Sequence, residues 1–110
     1  TALNAIELME NHIADPLILN HLANLIGVSK RQLNRVFQKV FKKGTMEYYR
    51  EIRLEKAKNL LRNSKLSISE VSEVTGFCTA SHFSNAFSNF FAIPPSDYRK
   101  GSQFAFVGGS

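Results

Sequence analysis

Residues 45–64 read TMEYYREIRLEKAKNLLRNS. No glycine or proline interrupts this run, and its composition suits a single continuous helix. Thr45 is placed to cap the first free N–H groups, and Glu47 falls in the first turn, where the helix dipole favours an anion. Arg62 falls in the last turn, where a cation is favoured. Tyr48, Tyr49, Ile52, Leu54, Ala57, Leu60 and Leu61 are apolar. At roughly 100° per residue they cover more of the circumference than the single stripe of a surface helix. Such a helix calls for a neighbour on each side, and the flanking sequence supplies two that resemble each other.

On the N-terminal side, Ser29 and Gln32 have the spacing of a capping box that opens the helix KRQLNRVFQKVF. Leu33, Val36, Phe37, Val40 and Phe41 form its apolar stripe. Before it, LILNHLANLIGVS holds a short amphipathic helix that Gly27 stops in a left-handed turn. Earlier still, Leu3, Ile6, Met9 and Ile13 lie on one helical stripe that ends at Asp15-Pro16. On the C-terminal side, Ser67 and Glu70 form a second capping box, with Ile68, Val71 and Val74 turned inward and Gly76 as the stop. Thr79 caps ASHFSNAFSNFF, in which Phe83, Ala86, Phe87, Phe90 and Phe91 recur at helical spacing as core residues. SDYRK forms a final short helix, and GSQFAFVGGS reads as a loose tail.

The two flanks are an internal repeat. Leu33, Phe37 and Phe41 match Phe83, Phe87 and Phe91 at a constant offset of fifty. Leu22, Ile26 and Gly27 match Val71, Thr75 and Gly76 at forty-nine, so the second turn is one residue longer. Each half is a short helix, a glycine-containing turn and a capped second helix, which is the pattern of a helix-turn-helix. The central helix spans about 27 Å at 1.5 Å per residue, a length of the order of the roughly 34 Å between successive major grooves.

Charge points the same way. The chain of 110 residues carries a net charge of +5. Between Lys30 and Arg62 there are eleven Lys or Arg against three Glu, whereas from Ser64 onward the charges cancel. A basic middle favours a polyanionic partner; the bland reading is a solvated basic face. Cys78 is the only cysteine, which excludes an internal disulfide and fits a reducing, cytoplasmic setting with a packing or incidental role for the thiol. His12, His21 and His82 have no metal-ligand spacing. Neither a nucleophile–base pair nor a glycine-rich phosphate loop appears, so the reading is of a non-enzyme without cofactor or metal.

The stretches S29-K-R-Q-L-N-R-V-F37 and Y48-Y-R-E-I-R-L-E-K-A57, with L60-L61, resemble the first half of an AraC/XylS-type transcription-regulator domain. The stretches S67-I-S-E-V-S, G76-F77, S81-H-F-S84, F87, F91 and P95-S-D-Y-R99 resemble the second half. The Y-Y-x-x-x-R-L run and A80-S-H-F-S look most similar to the branch whose regulatory domain is amidotransferase-like, of the DJ-1/PfpI type. The resemblance implies an all-α fold of about seven helices over residues 1–100. It has a first helix-turn-helix at 17–43, a linker helix at 45–63, a second unit at 67–92 and a flexible tail at 101–110. It also implies the C-terminal, promoter-binding part of a bacterial regulator, most often an activator, with a recognition helix in each of two successive major grooves. RNA polymerase is a further expected partner. The fragment is expected to be monomeric, and the full-length protein dimeric through a regulatory domain.

Carried over residue by residue, the resemblance makes Arg31, Asn34 and Arg35 the base readers of the first unit. In the second unit they are Ala80, Ser81, His82, Ser84 and Asn85. Arginine reads guanine and asparagine reads adenine through paired hydrogen bonds, so the side-chain chemistry selects nearly the same face. Lys30, Lys39, Lys42 and Lys43, with Thr79 at the start of the second recognition helix, are expected phosphate contacts. Arg53 falls inside the apolar arc of the central helix, where a structural hydrogen-bonding role is expected. The chain departs from the family pattern at several points. Lys42-Lys43-Gly44-Thr45 replaces a G-x-S/T-P turn, Ile18 stands at a cap position, and Ser72 replaces a small apolar residue. Asn85 and Asn89 stand where basic residues are common. Asn85 and Asn89, taken with the neutral charge of residues 64–110, make the second unit a poor electrostatic ligand and the first unit the expected main source of affinity. The competing reading is a helical protein-interaction module with a basic face.

Overall fold

The computed structural model describes residues 1–107, with the side chains of residues 1–101. Among the described residues seven helices follow in order: α1 (Ala2–Asn11), α2 (Leu19–Ile26), α3 (Lys30–Phe41), α4 (Thr45–Asn63), α5 (Ile68–Val74), α6 (Ala80–Phe91) and α7 (Pro95–Val107). There is no strand among the described residues. The chain divides into two compact units at Arg53/Leu54, within α4. The wide apolar cover of α4 therefore divides along its length. Tyr48, Tyr49 and Ile52 pack in the first core, and Leu54, Ala57, Leu60 and Leu61 in the second.

In the first unit α1 packs on α2 and α3, around Ala5, Met9, Leu22, Ala23, Leu33, Phe37 and Tyr49. The Tyr49 hydroxyl accepts the Leu17 N–H at 3.0 Å and donates to the His12 carbonyl, tying α4 to the segment between α1 and α2. Burial pushes the Tyr49 phenol above its ordinary pKa. The Arg53 guanidinium lies 5.7 Å from the centre of the Tyr49 ring. In the second unit α6 packs on α5 and α7, around Leu54, Ala57, Leu61, Val71, Phe77, Phe83 and Phe87. Arg99 Nε donates to the Leu61 carbonyl at 2.9 Å, which fastens α7 to the last turns of α4.

The repeat extends to ring packing. Phe37 meets Phe41 at 5.4 Å and Tyr48 at 5.4 Å, and Phe87 meets Phe91 at 4.6 Å and Tyr98 at 5.9 Å. Ser72 is accommodated in the core because its hydroxyl donates to the Ser69 carbonyl at 2.7 Å. Ile18 is the N-cap of α2 and makes no side-chain cap hydrogen bond, as its chemistry requires.

Five expectations are corrected. The α1 helix ends at Asn11, before the proline exerts its restriction, and its core contact is made by Ala5 and Met9, while Leu3 is 81% exposed. A small residue at the contact lets helix backbones approach closely, and a stripe drawn through large residues alone misses it. Val40, Val74 and Phe90 point outward, because helical spacing fixes a face and not the partner that would cover it. Cys78 is exposed, so the packing role considered for it does not hold. Thr45 is the first residue of α4 and is buried; its hydroxyl caps nothing. Finally, α7 continues to Val107, through residues read as a tail, since the lone Gly101 is too weak a breaker to end it. Residues 108–110 of that tail lie outside the described residues.

Candidate nucleic-acid interface

Both second helices of the repeat are twelve residues long and begin and end alike. At the start of α3, Ser29 Oγ accepts the Gln32 N–H at 3.0 Å, the serine half of the expected capping box. At the start of α6, Thr79 Oγ1 accepts the His82 N–H at 3.0 Å. The full reciprocal box forms at Ser67, where Glu70 Oε1 also accepts the Ser67 N–H at 2.8 Å. That bond holds the Glu70 carboxyl below its ordinary pKa. The α3 helix ends at Lys42 (φ 62°) and α6 at Ala92 (φ 62°), both in the left-handed region. Gly44, the glycine of the departed turn pattern, is not in that region; Lys42 takes the left-handed turn itself.

Each helix is seated by its buried pair, Leu33 and Phe37 or Phe83 and Phe87. At roughly 100° per residue, the point opposite each pair is Arg35 in α3 and Asn85 in α6. Arg31, Arg35 and Lys39 are exposed together on α3, and Ser81, His82, Asn85 and Asn89 on α6. Lys30 and Ala80 are exposed at the helix starts. The ring of His82 stands edge-on to Phe77 at 5.6 Å. Ser84 is half-buried. Asn89 shares the Asn85 face without being assigned by the resemblance; its i+4 spacing is the signal that marks it.

The side chains of three expected contacts are already engaged within the protein. Asn34 is half-buried, and its Oδ1 accepts the Thr45 N–H at 3.1 Å, capping α4 from a neighbouring helix. At the equivalent position of the second unit stands Pro95, which has no N–H to cap, and Ser84 takes the place of Asn34. Lys43 is paired with Glu51, and that hydrogen bond raises its pKa above the ordinary lysine value. Thr79 Oγ1 serves as the α6 cap. Lys42 is exposed, with its backbone fixed as the α3 C-cap.

Residues 22–101 match the family described as a helix-turn-helix domain. An AraC-type DNA-binding domain-containing transcriptional regulator from Chromobacterium violaceum is similar in sequence and structure. Identity is 36% and the TM-score 0.87, over 91% of this chain and 89% of that one. The chain belongs to the AraC-type DNA-binding domains. Among curated relatives, this AraC-type domain is 44% identical over 100 residues to the transcriptional regulator GlxA of Rhizobium meliloti, covering 91% of this chain and 31% of that protein. It is 42% identical over 96 residues to GbdR of Pseudomonas aeruginosa, covering 87% of this chain and 26% of that protein. The domain thus spans about a quarter to a third of the length of these relatives. The DNA-binding domain of AdpA, solved with a target DNA, has the same fold, with a TM-score of 0.85 at 21% identity over 90% of this chain and 89% of that one.

Proposed function

We propose that this domain binds double-stranded promoter DNA sequence-specifically, as the DNA-binding part of a longer bacterial transcription regulator. One observation carries the reading: two capped twelve-residue helices, each seated on a buried apolar pair, expose a polar face at matching positions. An α-helix of this kind fits the major groove, and side chains near its N-terminus reach the base edges. Arg31, Arg35, Ala80, Ser81, His82 and Asn85 are the proposed base readers, and Lys30, Lys39 and Lys42 the proposed phosphate contacts. The first unit dominates affinity, because α3 carries four Lys or Arg and α6 none. Activation through RNA polymerase, and dimerisation through a further domain, belong to the whole regulator.

The test is selection of duplexes from a random library under excess nonspecific competitor, followed by affinity measurement on the winner. Enrichment of a defined motif supports the reading; salt-sensitive binding without a preferred sequence leaves only a basic surface. On the selected duplex, Arg35→Ala is expected to cost about 1–3 kcal/mol and to relax one position. Asn85→Ala is expected to cost less, and the reverse order would defeat first-unit dominance.

A further inference from the structure

We infer that the two recognition helices read bases of opposite kind: α3 takes guanines through Arg35 and Arg31, and α6 takes an A·T block through Asn85 and Ala80. This rests on the DNA-binding reading above and adds to it the base composition of each half-site.

The assignment comes from matched positions. Arg35 and Asn85 lie fifty residues apart in the repeat and hold the same outermost place, each opposite its buried pair. An arginine there presents two donors to guanine O6 and N7, whereas an asparagine presents one acceptor and one donor to adenine N6 and N7. Asn34 would blur this contrast if its side chain were available. It is turned inward: Asn34 is half-buried, and its Oδ1, the acceptor that adenine readout needs, is directed at the Thr45 N–H of α4. The exposed face of α3 is thus left with the arginines at its centre.

The α6 helix, ASHFSNAFSNFF, holds no Lys, Arg, Asp or Glu and so has no fork for a guanine. Ala80, exposed at its first position, offers a methyl, the group that packs on the C5-methyl of thymine. Ser81 accepts either base. The ring of His82 is edge-on to Phe77, and Asn89 repeats the amide of Asn85 one turn on.

Exchange of the two outermost residues tests the assignment. The wild-type domain, Arg35→Asn and Asn85→Arg are each put through duplex selection, with thermal unfolding to confirm that these surface changes leave the fold intact. The wild-type motif should hold one block with fixed guanines and one of A·T pairs. Arg35→Asn should turn one fixed guanine to adenine and leave the A·T block alone. Asn85→Arg should turn one A·T position to guanine and leave the guanine block alone. Each switch should amount to about 5- to 150-fold between the two bases. Asn85→Arg adds a cation and keeps affinity, so it decides the matter where Arg35→Asn binds too weakly for selection. Guanines in both blocks, or exchanges that leave the preferred bases unchanged, would overturn the assignment while DNA binding stood. No enriched motif with the wild-type domain would overturn the DNA reading and this inference together.

Discussion

Asn34 and Arg35 are adjacent in the chain, yet one faces inward to α4 and the other outward from the helix. Asn34 satisfies the first N–H of α4 at 3.1 Å, a duty that normally falls to a residue just before the helix. Asn34→Ala is expected to lower the unfolding free energy by about 1 kcal/mol, as loss of an N-cap does, measured by urea denaturation. Arg35→Ala should leave that midpoint unchanged. Glu70 gives a pH-dependent counterpart. Its folded-state pKa lies below the ordinary value, chiefly because it accepts the Ser67 N–H. Its stabilising contribution is therefore present above the ordinary carboxylate pKa and is lost as pH falls through the lower folded value. Glu70→Gln should flatten that part of the acid limb, read from thermal midpoints between pH 6 and about 2. The Ser67 box was legible because cap and partner are three residues apart. The Asn34 cap was not, because its partner is eleven residues away and reached only once α3 and α4 have met.

At the scale of the helix, both recognition helices close on a residue with a side chain in the left-handed region. That conformation costs an L-residue roughly 1–2 kcal/mol, while glycine loses about 0.5–1 kcal/mol of unfolded-state freedom. Ala92→Gly is thus expected to raise stability by up to about 1 kcal/mol, seen as a higher midpoint in denaturant. The stop after α3 shows why a glycine in the sequence does not by itself locate a turn. Gly44 is present two residues on, yet the backbone turns left-handed at Lys42 (φ 62°), and the helix ends there. Elements and most caps followed from spacing and local chemistry. The outward positions of Val40, Val74 and Phe90 did not, since periodicity cannot say which part of a stripe finds a neighbour. In α1, Ala5 gives the same lesson in reverse, a small residue at the centre of a contact.

Over the whole molecule, the basic middle of the sequence resolves into cations with different freedom to meet phosphate. Lys39 is exposed on the α3 face, whereas Lys43 is held by Glu51. Lys39→Gln should therefore weaken binding evenly across sequences and reduce the slope of log affinity against log salt by about one. Lys43→Gln should change that slope far less. Net charge along the sequence could not separate these two lysines, because the ion pair forms only when the α3–α4 turn brings Lys43 to Glu51 on α4. The division at Arg53/Leu54 bears on how such domains can be recombined. The first core draws its residues from positions up to Ile52 and the second from Leu54 onward. A chimera joined in the loop after α3 would part Asn34 from Thr45 and Phe37 from Tyr48. One spliced inside α4, at Arg53/Leu54, would inherit each parent's hydrophobic cluster entire, so the natural seam for exchanging specificities runs through the middle of a helix.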